Sequence, residues 1–357
     1  MYLGDCMNLF INGYNIFIIV IVSFLLTFLL TPVVRWISMK IGAMDKPNKR
    51  KVQDVPIASM GGLGIFLTFL ISYMIFAPVT TQMVSIIIGA FIIILTGIID
   101  DISPLRAREK LIGQIAAALI VTVYGGIAIE HIQLFGHIIS FGFLSYPITI
   151  LFIVAIMNAI DLADGLDGLA AGTTTIYFIT TAIIGYLMAD ISGISIIFCL
   201  ILAGSCFGFL MYNFAPASIY MGDTGSLFLG YMISIIALVG FKSTTITSLI
   251  VPIIMLFVPI LDTLLAMERR LLKGQSIGEA DREHLHHQLL KMTKSVPKTV
   301  LIMYIMNGLF SVVTILYILG HKTLSMILYG VLLIVFLILI FTTDVLFTHK
   351  KKEKNEN

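Results

Sequence analysis

Apolar positions in this chain run on without alternation. The segment PITILFIVAIM (147–157) is typical, with its charged neighbours held back until the run has ended. A membrane-spanning helix needs about 20 mostly apolar residues, whereas a barrel strand would alternate apolar and polar positions. The pattern therefore predicts helices. Eleven are expected, at 14–34, 61–79, 83–100, 111–126, 147–160, 173–189, 194–213, 225–241, 247–267, 299–320 and 323–346. The first is too long for a cleaved leader, lacks a basic start and shows no small-residue cleavage site, so it is expected to stay as an anchor.

Composition narrows the class. Of 357 residues, 59% are hydrophobic and 12% charged, with a mean hydropathy of +1.04, against roughly a quarter charged in soluble domains. The expected fold is an all-α polytopic membrane protein: one transmembrane domain over 1–346 and a charged tail over 347–357. Charge then orients it. Every Lys and Arg except Lys242 and Lys322 falls in alternate connections or the tail, which places those connections in the cytoplasm, the N-terminus outside and the C-terminus inside. The net charge of +2 is absorbed by this asymmetry and points to no nucleic-acid partner. Cys6, Cys199 and Cys206 form no disulfide or metal pattern. The GxxxG of GSCFG (204–208) marks close helix contact rather than a ligand site.

With that topology the acidic residues sort themselves. Asp100 and Asp101 close the third span, Asp161, Asp164 and Asp167 follow the fifth, and Asp223 stands between the seventh and eighth. All six reach the cytoplasmic face, as do His284, His286 and His287, while the outer side holds only Asp5, Glu130 and Asp190. Taken singly, an Asp before Gly is a helix cap or turn residue, and Asp262 reads equally as a partner for Arg269. As a group, the acids need an explanation. Spacing of i, i+3 and i+6 puts Asp161, Asp164 and Asp167 on one face of a helix, if the helix runs that far. Two charges ~6 Å apart repel by about 3 kcal/mol at an effective dielectric near 20. Either protons or cations must offset that, and no Lys or Arg lies between Lys110 and Lys242. A hard divalent ion, Mg²⁺ with Mn²⁺ as a substitute, fits oxygen ligands of this kind, whereas HLHH lacks the partners of a zinc site.

The blocks GIIDD (97–101), NAIDLADGLDGLAAG (158–172), NFAPASIYMGDTGSLFLGY (213–231), PILDT (259–263) and DREHLHH (281–287) resemble, in order, the signatures of the polyprenyl-phosphate N-acetylhexosamine-1-phosphate transferases, the group of WecA, TagO and MraY. Their lengths are nearest the TagO branch. The resemblance implies that a polyprenyl phosphate, usually undecaprenyl phosphate, attacks a UDP-activated N-acetyl amino sugar in the plasma membrane of a bacterium, releasing UMP at the cytoplasmic face. It implies Asp223 as the metal ligand, and Asp100, Asp101, Asp164 and His284 as catalytic. Asp167, Asn213, Tyr220, Lys110, Arg282, His286 and His287 are implied as substrate-binding. The catalytic loops would be about 35–60, 100–110, 159–172, 213–224 and 268–298. Gln53 stands where the family often has histidine and Ala58 where it has proline, which puts the shape of the first loop in doubt. The short HLHH favours UDP-N-acetylglucosamine over the muramyl-pentapeptide nucleotide, and wall teichoic acid is the first pathway expected. Membrane lipids surround such a chain, and its small-residue motifs permit a homodimer. The alternatives are the muramyl-pentapeptide transferase and a cation-coupled transporter, whose ion sites would lie near the membrane midplane.

Overall fold

A computed structural model describes residues 10–45, 55–134, 137–188, 193–240, 254–255, 257–272, 274 and 284–342. Arg282, Gln53 and the charged tail lie outside the described residues. The helices are α1 (Ile16–Ile41), α2 (Gly62–Phe76), α3 (Thr81–Ile102), α4 (Ala107–Leu119, continued by a π-helical turn, Ile120–Tyr124), α5 (Ser145–Ala163), α6 (Leu169–Met188), α7 (Gly193–Asn213) and α8 (Gly222–Gly240). They continue with α9 (Phe257–Leu272), α10 (Leu285–Thr293), α11 (Val296–Ile318) and α12 (Lys322–Thr342). Each of the eleven apolar segments overlaps one of these helices, and among the described residues only the short α10 is additional. Among the described residues, eight helices are long and apolar enough to cross a membrane. The other three, α2, α4 and α9, have 15, 13 and 16 residues. At 1.5 Å per residue, α2 falls short of a hydrocarbon core of about 30 Å, while α4 runs on through its π-helical turn to Tyr124 and α9 is given only by its described residues.

α8 is the hub. Of its most apolar window, 83% is buried inside the protein, against 17% for α12 at the periphery. α3 and α5 pack along α8, and α1 and α6 pack along α7. Hydroxyl pairs join α1 to α2, with Thr27 bonded to Thr68 at 2.8 Å and Ser23 to Ser72 at 3.1 Å. The GxxxG glycines sit where helix contact was predicted: a Cβ on Gly204 would lie 2.5 Å from the Val20 carbonyl oxygen, and one on Gly208 2.5 Å from that of Phe24. A second core, around α9 to α12, takes in Leu166 from the segment joining α5 to α6 and Leu169 at the start of α6.

One expectation fails. The helix carrying Asp161 does not continue through Asp167; it ends at Ala163, with Asp164 as its C-cap. Gly165 and Gly168 follow, and Gly168 has φ +80°, a left-handed conformation that a glycine adopts without steric cost. The three acids are thus brought together by a turn, not by a shared helical face.

Candidate functional site

The N-terminus of α8 is the best-built part of the site. The first amide groups of a helix have no partner within it, and here a carboxylate from α3 supplies one. Asp101 accepts from the Asp223 amide at 3.1 Å and the Thr224 amide at 3.2 Å, and also from the Thr224 hydroxyl at 2.6 Å and the Ser59 hydroxyl at 2.9 Å. Both carboxylate oxygens are therefore taken by groups that hold Asp223 in place. Gly222, at φ +68°, lets the chain pass so closely that a Cβ there would lie 2.4 Å from either Asp101 oxygen. The segment after the first loop braces the same turn. Tyr220 donates its amide to the Ala58 carbonyl at 2.8 Å, and the Gly61 and Gly62 amides donate to Tyr220 and Met221 at 2.9 Å. Ala58 contributes through its carbonyl, which a proline would equally present, so the departure from the family pattern leaves this brace intact.

Asp100 points elsewhere. It accepts from the Leu105 amide at 2.7 Å and forms an ion pair with Lys110 at 3.0 Å. Lys110 also bonds Asp223. Burial works against the Lys110 ammonium, but Asp161, Asp223 and Asp100 outweigh it and hold the pKa above the usual lysine range. The lysine is thus an internal counter-ion. Asp161 accepts from the Ser226 hydroxyl at 2.5 Å. The Asp164 carboxyl is pushed up to about 8 by burial and then by Asp161, Asp101 and Asp167. Among the described residues, no three His, Cys, Asp or Glu side chains are grouped so as to hold one metal ion between them.

The proposed nucleotide residues sit beside this cluster. Asp167 accepts from the Ala217 amide at 2.9 Å and bonds the Tyr220 hydroxyl, whose pKa is raised by burial and then by Asp167. Asn213 is buried and clips two loops together: its amide oxygen accepts from the Gly168 amide at 3.1 Å, and its nitrogen donates to the Ile219 carbonyl at 3.0 Å. The Tyr304 hydroxyl donates to the Gly168 carbonyl from α11.

The histidines arrive from the other core. His284 caps α10, His284 and His286 stack with centroids 5.6 Å apart, and His287 lies 4.3 Å from His286. His286 docks on the acidic turn so tightly that a Cβ on Gly165 would lie 2.1 Å from its Nε2. Burial, and next His287, lowers the pKa of His286 to about 3 against the opposing pull of Asp262. Asp262 engages the histidine block, through His284 Nδ1 at 3.1 Å and the Leu285 amide at 2.9 Å. The four groups of acids and the histidines therefore meet at one end of the bundle. Ser59, Thr224, Ser226, Tyr304 and Asp262 were missed as site residues. Of these only Asp262 carried a signal in the sequence, as an acid within an apolar run.

Comparison with known proteins places the chain in a family. The sequence profile described as "Glycosyl transferase family 4" matches residues 83–241. A Bacillus subtilis (strain 168) protein named "Probable undecaprenyl-phosphate N-acetylglucosaminyl 1-phosphate transferase" is 42% identical over 325 residues, 90% of this chain and 88% of the relative. The "Decaprenyl-phosphate N-acetylglucosaminephosphotransferase" of Mycobacterium tuberculosis (strain ATCC 25618 / H37Rv) is 33% identical over 318 residues, 80% of this chain and 78% of the relative. A "Phospho-N-acetylmuramoyl-pentapeptide-transferase" of Desulfitobacterium hafniense (strain DSM 10664 / DCB-2) is 37% identical over 250 residues, covering 63% and 73%. A chain that aligns along nine-tenths of its length with one such protein shares its family, and this multi-pass membrane protein accordingly belongs to glycosyl transferase family 4, among the polyprenyl-phosphate N-acetylhexosamine-1-phosphate transferases.

Proposed function

We propose that the protein transfers N-acetylglucosamine 1-phosphate from UDP-N-acetylglucosamine to undecaprenyl phosphate at the cytoplasmic face of a bacterial plasma membrane, releasing UMP. The observation that carries this reading is the convergence of Asp100, Asp161, Asp164, Asp223, Lys110 and the histidine block at one end of an apolar bundle. A lipid-borne phosphate and a cytosolic nucleotide meet at such an end. The N-terminus would lie outside and the tail in the cytoplasm, in keeping with the Lys and Arg distribution. The Bacillus subtilis relative supports N-acetylglucosamine as the sugar. Wall teichoic acid is the first pathway to test.

The residues divide the work. Lys110, half-buried among carboxylates, would neutralise a phosphate oxygen. Asp100, which keeps company with Lys110, orients the acceptor phosphate. That phosphate monoester has a second pKa near 6 and needs no strong base, so positioning and charge neutralisation carry the reaction as a direct displacement. Asp167 and Tyr220 form the uracil side, with Asn213 holding their loops in register. Arg282, His284, His286 and His287 would bind the diphosphate and sugar, and Asp164 lines the nucleotide site.

The donor set suits Mg²⁺, which commonly takes only one or two carboxylates and completes its shell with water and phosphate. Asp223, on a helix end fixed by Asp101, would hold it, and the ion would supply charge stabilisation at the diphosphate. The deciding experiment incubates purified protein with undecaprenyl phosphate, Mg²⁺ and either UDP-N-acetylglucosamine or the muramyl-pentapeptide nucleotide, and measures UMP. The first donor is expected to react. Reaction with the second alone would move the assignment to the peptidoglycan branch, and UMP from neither would overturn it. Asp223→Ala is expected to abolish turnover while still inserting in the membrane.

A further inference from the structure

Asp262 takes no part in the reaction as described above, yet it is among the most constrained acids in the protein. It is 6% exposed and approaches one short segment three times. Oδ1 accepts from the Leu285 amide at 2.9 Å, Oδ2 lies 3.1 Å from His284 Nδ1, and the same oxygen lies 4.0 Å from His286 Nδ1. Leu285 opens α10, and His284 at the N-cap makes no side-chain capping bond. A carboxylate from α9 thus does what a cap side chain would do, satisfying an orphan amide and placing negative charge at a helix N-terminus.

The second contact has a chemical consequence. An ionised carboxylate can only accept hydrogen bonds, so the His284 nitrogen facing it must carry a proton. That fixes the neutral ring as the Nδ1–H tautomer and leaves Nε2 with the lone pair. From Asp262 the chain of contacts runs through His286 to Gly165, between Asp164 and Leu166.

We propose that Asp262 is a positioning residue that sets the tautomer of His284 and seats the histidine block against the acidic turn. Its effect on turnover rests on the transferase reading, in which His284 meets the substrate; its effect on the tautomer does not.

Asp262→Asn separates the two. The Leu285 amide is obligately a donor, so the Asn oxygen must face it and the NH₂ must face His284, turning Nδ1 into an acceptor. The test is ¹⁵N NMR of selectively histidine-labelled protein in detergent at about pH 8, where an unperturbed imidazole is neutral, with His284→Gln assigning the resonance. Protonated Nδ1 is expected in the unaltered protein and protonated Nε2 in Asp262→Asn. Turnover is expected to fall on the order of 10- to 100-fold, with KM for the nucleotide sugar changing less than about threefold. An unprotonated Nδ1 in the unaltered protein, or the same protonation pattern in both, would overturn the proposal. The spectrum of the unaltered protein gives the first of these results even if the variant fails to fold. A switched tautomer with undiminished turnover would leave Asp262 in its orienting role and remove His284 from the reaction.

Discussion

Asp100 and Asp101 are neighbours in sequence and do different things. Four protein donors occupy Asp101, whereas Asp100 faces the Lys110 ammonium. The 2.6 Å bond from Thr224 to Asp101 is charge-assisted, and such bonds contribute about 1.5–3 kcal/mol. Thr224→Val is therefore expected to destabilise the protein by about that much in thermal melts and to lower turnover with it, by loosening Asp223. A variant as stable and active as the parent would show that the contact does not hold the helix end. His286 provides a pH test. Its folded-state pKa, about 3, lies below the unfolded value near 6.5. A depressed value means stability that is fully present above about pH 6.5 and is lost as pH falls toward about 3. By pH 5 the loss would amount to about 2 kcal/mol. His286→Asn is expected to narrow the drop in melting temperature between pH 7 and pH 5, and equal drops in the two proteins would contradict the assignment. The identities of these residues were legible in the sequence; their partners were not, because Ser59 and Thr224 look like any hydroxyl near a helix end.

At the scale of elements, periodicity predicted well where a helix was long and poorly where it stopped. Each of the eleven apolar segments overlaps a described helix, eight of them long enough to span a membrane, but the three-acid spacing suggested a continuous face that Gly165 and Gly168 break. The same acids still converge, held by the Ser226 hydroxyl for Asp161 and the Ala217 amide for Asp167. The GxxxG of α7 was read correctly because close approach needs only small residues at the right spacing. Gly208→Leu should force α1 away from α7, against which Phe24 is seated, and overpacking of this kind costs about 1–3 kcal/mol. A lowered melting temperature in detergent is expected, and an unchanged one would show that the two helices are not in close contact at this position.

At the scale of the molecule, α1, α3, α5 and α7 end where α2, α4, α6 and α8 begin, and that shared end is the site. Asp262, the acid with most reason to lie deep, joins it too, which weighs against a midplane ion site of the transporter kind. Cysteine labelling tests the orientation in a background lacking Cys6. Ser103→Cys, beside Asp100, is expected to react with an impermeant reagent only after the membrane is opened. His321→Cys, beyond the far end of α11, should react in intact cells. The opposite pattern would place the site outside and sink the proposed reaction.

Long apolar runs, the lopsided Lys and Arg distribution and six acids on one predicted face were enough, from the sequence by itself, to specify a helical membrane protein with ionisable groups gathered at one surface. Those are properties of local composition and spacing. Which acid caps a helix, which pairs with Lys110 and which orients a histidine depended on chain segments up to 123 residues apart meeting at hydrogen-bond distance. Only the tertiary structure decided that, since a carboxylate's role is set by the donors packed around it and not by its neighbours along the chain.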